Sequence, residues 1–304
     1  MGDIALSAAS RSNLLSIQTT QRFVDRTQNR LSTGRAVSSV IDDALKFFSA
    51  KALSNRASDL SARKDAIDQG ISTLKVVVET TNRLEQFVNQ MRGIIDSSRS
   101  ATQDERKEFS GQIKSLVEQI QRLVGDASYQ GQNLLNNSAG TLTVRFSEKT
   151  DSVLEIDAVN FNASAFFLNS LGAALSIDEI NSERVILTKL GFANALSTFD
   201  LVDAAILASY NNQANTAIIR LEKTISNTRA KSASFGANVA ILQVRLDFTR
   251  NYTNLLTEGS DKLTLADLNE EGANLLALQT RQQLGIQALS FAGQSEQAIL
   301  GLFR

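Results

Sequence analysis

Beginning at Leu60, the chain carries a row of side chains seven residues apart: Leu60, Ile67, Leu74, Thr81, Val88 and Ile95, with a companion row at Val77, Leu84 and Met91. Rows offset by three residues merge into one apolar stripe on a helix, and a strict seven-residue period keeps that stripe against a neighbour only if helices supercoil. The pattern predicts a helix over about residues 59–98, on the order of 60 Å long at ~1.5 Å per residue. Past the polar break Ser97-Ser98-Arg99-Ser100, Thr102 is placed to cap a second helix with Phe109, Ile113, Leu116, Val117, Ile120, Leu123 and Val124 on one face. Alternation at Leu142, Val144 and Phe146 and at Leu154 and Ile156, across Ser147-Glu148-Lys149-Thr150-Asp151, predicts a β-hairpin.

Residues 159–201 have no repeated seam, only short helical candidates between Asp178 and Leu190. The seven-residue row then returns as Leu207, Ala214, Leu221, Thr228, Phe235, Leu242, Thr249 and Leu256, joined by Ile218, Ile225, Val239 and Leu246. Both ends of the sequence also read as helices. Ile17, Val24 and Leu31 form the stripe of the first. Ala277, Leu284, Phe291 and Ala298, flanked by Ala288 and Leu302, form that of the last. Small residues at Ala273, Ala277, Ala288, Gly293 and Ala298 permit close helix contact but supply little buried area. If the two long helices pair, and the two terminal helices pair, the chain runs out and back. The predicted fold class is mainly α: a long antiparallel coiled-coil helical rod with a small β-hairpin, and terminal helices that order on assembly.

Composition sharpens this. Proline is absent from the 304 residues, so no position forbids a helical backbone donor. With Lys and Arg at 31 against Asp and Glu at 32, the formal charge of −1 offers no excess to neutralise phosphates, which argues against nucleic acid as a partner. Apolar residues make up 42% but never form the roughly 18-residue run of a membrane span, so no membrane insertion is expected. The absence of cysteine removes disulfides and thiolate ligands; the absence of histidine removes the usual triads and zinc sites. No enzyme, cofactor or metal site is expected. The first residues, Met1-Gly2-Asp3-Ile4-Ala5-Leu6-Ser7, lack the basic and apolar regions of a cleavable secretory signal, so export is expected to use another route.

Several short stretches resemble the bacterial flagellins. Arg30-Leu31-Ser32-Thr33-Gly34-Arg35 with Asp42-Asp43-Ala44 is similar to the junction after the family's first helix, and Asp68-Gln69-Gly70-Ile71-Ser72 to the start of its long outer rod. Tyr129-Gln130-Gly131-Gln132-Asn133-Leu134-Leu135 resembles its turn before the hairpin. Phe235-Gly236-Ala237-Asn238 with Val244-Arg245-Leu246 resembles its return helix, and Ala298-Ile299-Leu300-Gly301-Leu302-Phe303-Arg304 its closing segment. The resemblance covers about 160 and 100 residues at the two ends. The short middle departs from longer members and implies a slim filament.

The resemblance implies a non-enzymatic filament subunit for swimming motility, secreted and extracellular in the bacterial flagellum. It implies an inner-core helix over residues 1–35, a spoke over 36–58, rod helices and hairpin over 59–158, and a short surface-exposed variable segment over 159–202. A C-terminal rod helix over 203–262 and an inner-core helix over 263–304 follow. Implied partners are other copies of the chain in a helical homopolymer, hook-associated junction and cap proteins, and an export chaperone on the C-terminal segment; the implied export route is the flagellar type III apparatus. In the rod, Gln90-Met91-Arg92-Gly93-Ile94 lacks one arginine and the acidic residue of the stretch through which the innate immune receptor recognises some family members, which implies weak receptor activation. The alternative within this architecture is the flagellar hook-filament junction protein. Outside it stands a signalling coiled coil, which would not explain apolar helices at both ends.

Individual positions have competing readings. Adjacent Asp42 and Asp43 suit capping better than acid–base or cation chemistry, which needs further converging oxygens. Gly34 suits a helix C-cap and equally a joint. Phe47 and Phe48 suit either a neighbouring subunit or their own core. Arg83, Arg92 and Arg122 suit a solvated face, since exposed ion pairs contribute only about 0–1 kcal/mol. Sequons at Asn136, Asn162 and Asn251 are expected by accident in a chain this rich in Asn and Ser. No catalytic, cofactor or metal residue is assigned.

Overall fold

The structure, a computed structural model, describes residues 8–136, 140–161, 183–192, 196, 201 and 203–302. In order, the elements are α1 (Ala8–Thr33), α2 (Ala44–Ser97), α3 (Gln103–Asp126), β1 (Leu142–Arg145), β2 (Val153–Ile156), α4 (Glu183–Leu190), α5 (Ala204–Thr264) and α6 (Leu268–Leu302). They divide into two compact units, one made of residues 1–59 and 252–304, the other of residues 60–251.

In the second unit the heptad rows do what their spacing dictates. Leu60, Ile67, Leu74, Thr81, Val88 and Ile95 on α2, with Val77, Leu84 and Met91, are all buried. So are Ala214, Leu221, Thr228, Phe235, Leu242 and Thr249 on α5. The two helices run antiparallel, as the cross-contacts show: Arg99 reaches Asn215, Arg92 reaches Glu222, Glu85 meets Arg229, and Thr81 Oγ1 lies 3.0 Å from Ser232 Oγ. Against them α3 buries Ile113, Val117, Ile120 and Val124. Thr102 caps it in a capping box, its side chain accepting from Glu105 N while the Glu105 carboxylate accepts from Thr102 N at 2.7 Å.

The hairpin pairs Leu142 with Ile156 and Val144 with Leu154, antiparallel, in the predicted alternation. It is positioned by the turn before it. Gln130 and Gly131 both have positive φ (50° and 81°), and Tyr129 and Gln132 exchange backbone hydrogen bonds of 2.9 and 3.0 Å across them. Asn133 then donates to Val124 O at 2.7 Å, closing the end of α3, and accepts from Leu135 N at 2.8 Å. Leu134 and Leu135 are fully buried as a result. The short helix expected between Asp178 and Leu190 is present from Glu183; its earlier part lies outside the described residues.

In the first unit α1 packs antiparallel on α6, with Gln282 donating to Gln21 at 2.6 Å and Arg30 paired with Glu271 at 2.9 Å. Their connections meet in a short antiparallel bridge between Arg35 and Leu265, with Ala36 N donating to Thr264 O and Ala266 N to Gly34 O. Gly34 ends α1 at φ +69°, a conformation costly for residues with a Cβ. Helix α2 already begins at Ala44, so only residues 36–43 of the expected connecting segment 36–58 are irregular.

Candidate self-assembly interface

The terminal helices meet through a seam that mixes polar and apolar side chains. On α1 the positions turned inward are Ser10, Thr20, Val24 and Thr27, all buried, with Ile17 half-buried. On α6 they are Glu271, buried, and Leu275, Leu278, Gln282, Gly285 and Leu289, half-buried. This corrects the sequence reading of α6. Its proposed stripe faces outward: Leu284 is 60% exposed and Phe291 69%, and Ala273, Ala277 and Ala288 are exposed as well. Ala298 and Leu302 have no described side chain. The close approach is made by Gly285, where an added Cβ would lie 3.0 Å from Ile17 Cγ1. On α1 the stripe is partly right, with Val24 buried and Leu31 exposed.

The outer faces are apolar. Leu14, Leu15, Phe23 and Leu31 on α1 and Leu268, Leu276, Leu284, Ile286 and Phe291 on α6 all stand exposed. Single exposed hydrophobes are ordinary; faces of this extent on two paired helices mark an interaction surface. In the same unit Val40, Ile41 (97%), Leu45 and Phe48 are exposed around the start of α2. Phe47 and Phe48 stack edge to face at 5.7 Å; Phe47 is half-buried, whereas Phe48 opens outward and is available to another chain.

The singled-out charged residues divide into two aspartates that hydrogen-bond locally and three arginines on exposed helix faces. Asp42 Oδ2 accepts from the amides and hydroxyls of both Ser38 and Ser39 at 3.0–3.1 Å, which lowers its pKa from the usual carboxylate value. Asp43 Oδ1 accepts from Lys46 N at 3.0 Å and so caps α2. Arg83 pairs with Glu79 one turn back, Arg92 lies 3.5 Å from Glu222, and Arg122 has no ion-pair partner among the described residues. Asn136 and Asn251 are a half-buried turn residue and an exposed helical one; Asn162 lies outside the described residues.

One buried cluster carried no sequence signal. Arg106, 3% exposed, donates from Nε to Leu196 O at 3.1 Å and from Nη1 to Ala101 O at 2.6 Å, and its guanidinium lies 5.8 Å from the Tyr210 ring centre. Tyr210 donates to Ser98 Oγ at 2.6 Å, and burial raises its pKa. The cluster ties Leu196 to the start of α3 and to α5. Nothing local in the sequence marks Arg106, because its partners are carbonyls 90 residues away and five residues back.

Helices from both ends of a chain, paired through a mixed seam and apolar outside, belong to the class of structural proteins that present large apolar faces. Residues 4–140 match the bacterial flagellin N-terminal helical region, and residues 218–303 match the bacterial flagellin C-terminal helical region. Flagellin of Brucella melitensis is 28% identical over 307 residues, covering 100% of both chains; flagellin FljK of Caulobacter vibrioides is 27% identical over 306, covering 100% of this chain and 99% of its own. A Vibrio parahaemolyticus protein assigned as flagellar hook-associated superposes with a TM-score of 0.50 at 13% identity, covering 74% of this chain and 100% of that one, a likeness of fold alone. The chain belongs to the bacterial flagellin family. It is a structural subunit of the flagellar filament.

Proposed function

We propose that this chain becomes fully folded only as it polymerises, its terminal helices ordering against those of neighbouring copies. The observation that carries this is the extent of the apolar faces that α1 and α6 leave exposed, beside an inner seam that is only partly apolar. Ordering a residue's backbone costs about 1–2 kcal/mol, whereas fully burying a large apolar side chain returns about 1.5–3 kcal/mol. With Thr20, Thr27, Glu271 and Gln282 in the seam and Leu284, Ile286 and Phe291 outside it, the isolated pair returns little for each turn it orders. Neighbouring copies would bury the outer faces and reverse the balance, coupling folding to association.

On this reading residues 1–35 and 263–304 line the inner tube of the filament, and residues 59–158 and 203–262 form the layer around it. Residues 36–58 connect the two layers, and 159–202 reach the surface. Unfolded ends would also suit export through the flagellar type III route, with a chaperone on the C-terminal segment before secretion and hook-associated junction and cap proteins at the filament's two ends. Limited proteolysis tests the core of this. Monomer is expected to be trimmed at both ends to about residues 50–260, giving a fragment that no longer polymerises, while filaments resist the same treatment. A trimmed fragment that polymerised normally would overturn it.

A further inference from the structure

In the first unit, Arg22, Arg26, Arg30 and Arg35 line one side of α1 and the turn after it, around an open hollow of about 320 Å³ shared with Asp25, Ser38, Ser39 and Asp42. Residues spaced by four stack on one helix face, so Arg22, Arg26 and Arg30 present like charges to one another, which is unfavourable without a counter-charge. Their neighbours in the chain supply it only in part. Arg30 is paired with Glu271, but Arg22, Arg26 and Arg35 have no ion-pair partner among the described residues. Two carboxylates share the hollow, Asp42 held by two serines and Asp25 by the Gln21 side-chain amide, and against the four arginines they leave it net positive. Beside Arg26, the exposed Phe23 lines the adjoining groove against α6.

A second hollow in the same unit has the opposite character. It is lined by Glu258, Asp261 and Lys262 at the end of α5, the exposed Leu265, Ala266, and Asp267 before α6. Lys262 is taken by Glu258 at 2.6 Å, which lowers the Glu258 pKa and keeps it ionised. Asp267 is taken by α6, accepting from Asn269 N and Glu270 N. Asp261 has no ion-pair partner among the described residues. No residue lines both hollows.

We propose that the arginine face of α1 in one subunit docks on the Glu258–Asp267 hollow of a neighbouring subunit, Arg22 and Arg26 meeting Glu258 and Asp261, with Phe23 laid against Leu265. This rests on the filament reading and specifies a contact within it. The occupant is a second copy because the two surfaces carry opposite charge, each beside an exposed apolar side chain, on one polypeptide of near-zero net charge. Two different complementary patches on one subunit make a head-to-tail contact, which propagates as a helical filament when the rotation does not close a ring. Arginine forks suit carboxylates, and like charges set opposite one another reject wrong registers.

The test is charge exchange in the full chain. R22E/R26E and E258K/D261K are each expected to raise the critical concentration for seeded polymerisation by about tenfold or more, read by sedimentation and negative-stain electron microscopy. The four-fold variant R22E/R26E/E258K/D261K restores opposite charges and is expected to return to within about threefold of wild type by the same arithmetic. All four positions lie away from the inward seam, and the Glu258–Lys262 pair that E258K removes is exposed and of the kind that contributes little, so urea unfolding of each variant is expected to lie close to wild type. If wild type polymerises and either double variant does so equally well, the docking is wrong. It is also wrong if both double variants fail and the four-fold variant is not rescued. If wild type itself does not polymerise, the filament reading falls and the contact with it.

Discussion

Gly70 sits mid-helix, where glycine costs roughly 0.5–1 kcal/mol relative to alanine, and the structure shows why it is there. A Cβ at this point would lie 2.8 Å from Val144 Cγ2, in the buried face of the hairpin, and 3.5 Å from Leu242 Cδ1. Gly70→Ala should therefore destabilise the protein by about 1–3 kcal/mol, despite the better helix former, because a packed valine has to shift. Urea unfolding monitored by circular dichroism checks this; an increase in stability would mean that the hairpin yields freely. Removing the Arg106 guanidinium, as in Arg106→Ala, strands the Leu196 and Ala101 carbonyls and should cost about 1–3 kcal/mol, read as a fall in the midpoint of the same transition. Neither residue was marked as structural by its sequence context, since each is explained only by a partner far along the chain.

Carboxylates are the titrating residues that bear on stability here. Hydrogen bonds from Arg229, above all, hold Glu85 below its ordinary pKa, the capping contacts of Thr102 do the same to Glu105, and the serine amides and hydroxyls to Asp42. A folded-state pKa below the unfolded one contributes stability that is complete above the unfolded value and is lost as pH falls through the folded value. With no histidine in the chain, filaments should be indifferent between about pH 6 and 8 and weaken only in acid, below about pH 4. Light scattering against pH checks this. A cooperative transition near pH 6.5 would contradict it.

Among the elements, legibility followed chemistry. In α2 and α5 the seven-residue rows fall on the buried face even though α5 also exposes Ile219, Val244 and Phe248, so spacing located the buried rows of the second unit, and Thr102 and the hairpin alternation were equally local signals. Helix α6 failed because it is apolar on both sides. Leu284 and Phe291 keep a seven-residue interval as faithfully as the true seam, and the residues that decide the seam, Glu271, Gln282 and Gly285, are not hydrophobic. An intrachain seam reading took for the inner face what a single chain leaves open. Leu284→Ser with Phe291→Ser should consequently leave monomer unfolding unchanged while raising the critical concentration for assembly more than tenfold, since each side chain loses about 1.5–3 kcal/mol of burial made only in the filament. Destabilised monomer with normal assembly would put these side chains inside the subunit.

For the whole molecule, the family and the filament role were legible because they rest on stretches at both ends, while the assembly surfaces were not, since complementarity between copies is a property of folded faces. The Gln90–Ile94 stretch carries Arg92 facing Glu222, with Gln90 and Gly93 exposed, and reporter cells bearing the innate receptor should respond weakly; a response equal to that of an activating flagellin would refute this. Assembly-coupled folding is tested most directly by amide hydrogen exchange on monomer and filament of the same preparation. Amides of α1 and α6 should exchange within seconds in the monomer and be protected for hours in the filament, while α2, α3 and α5 between residues 60 and 251 stay protected in both. Terminal helices already protected in the monomer would contradict it.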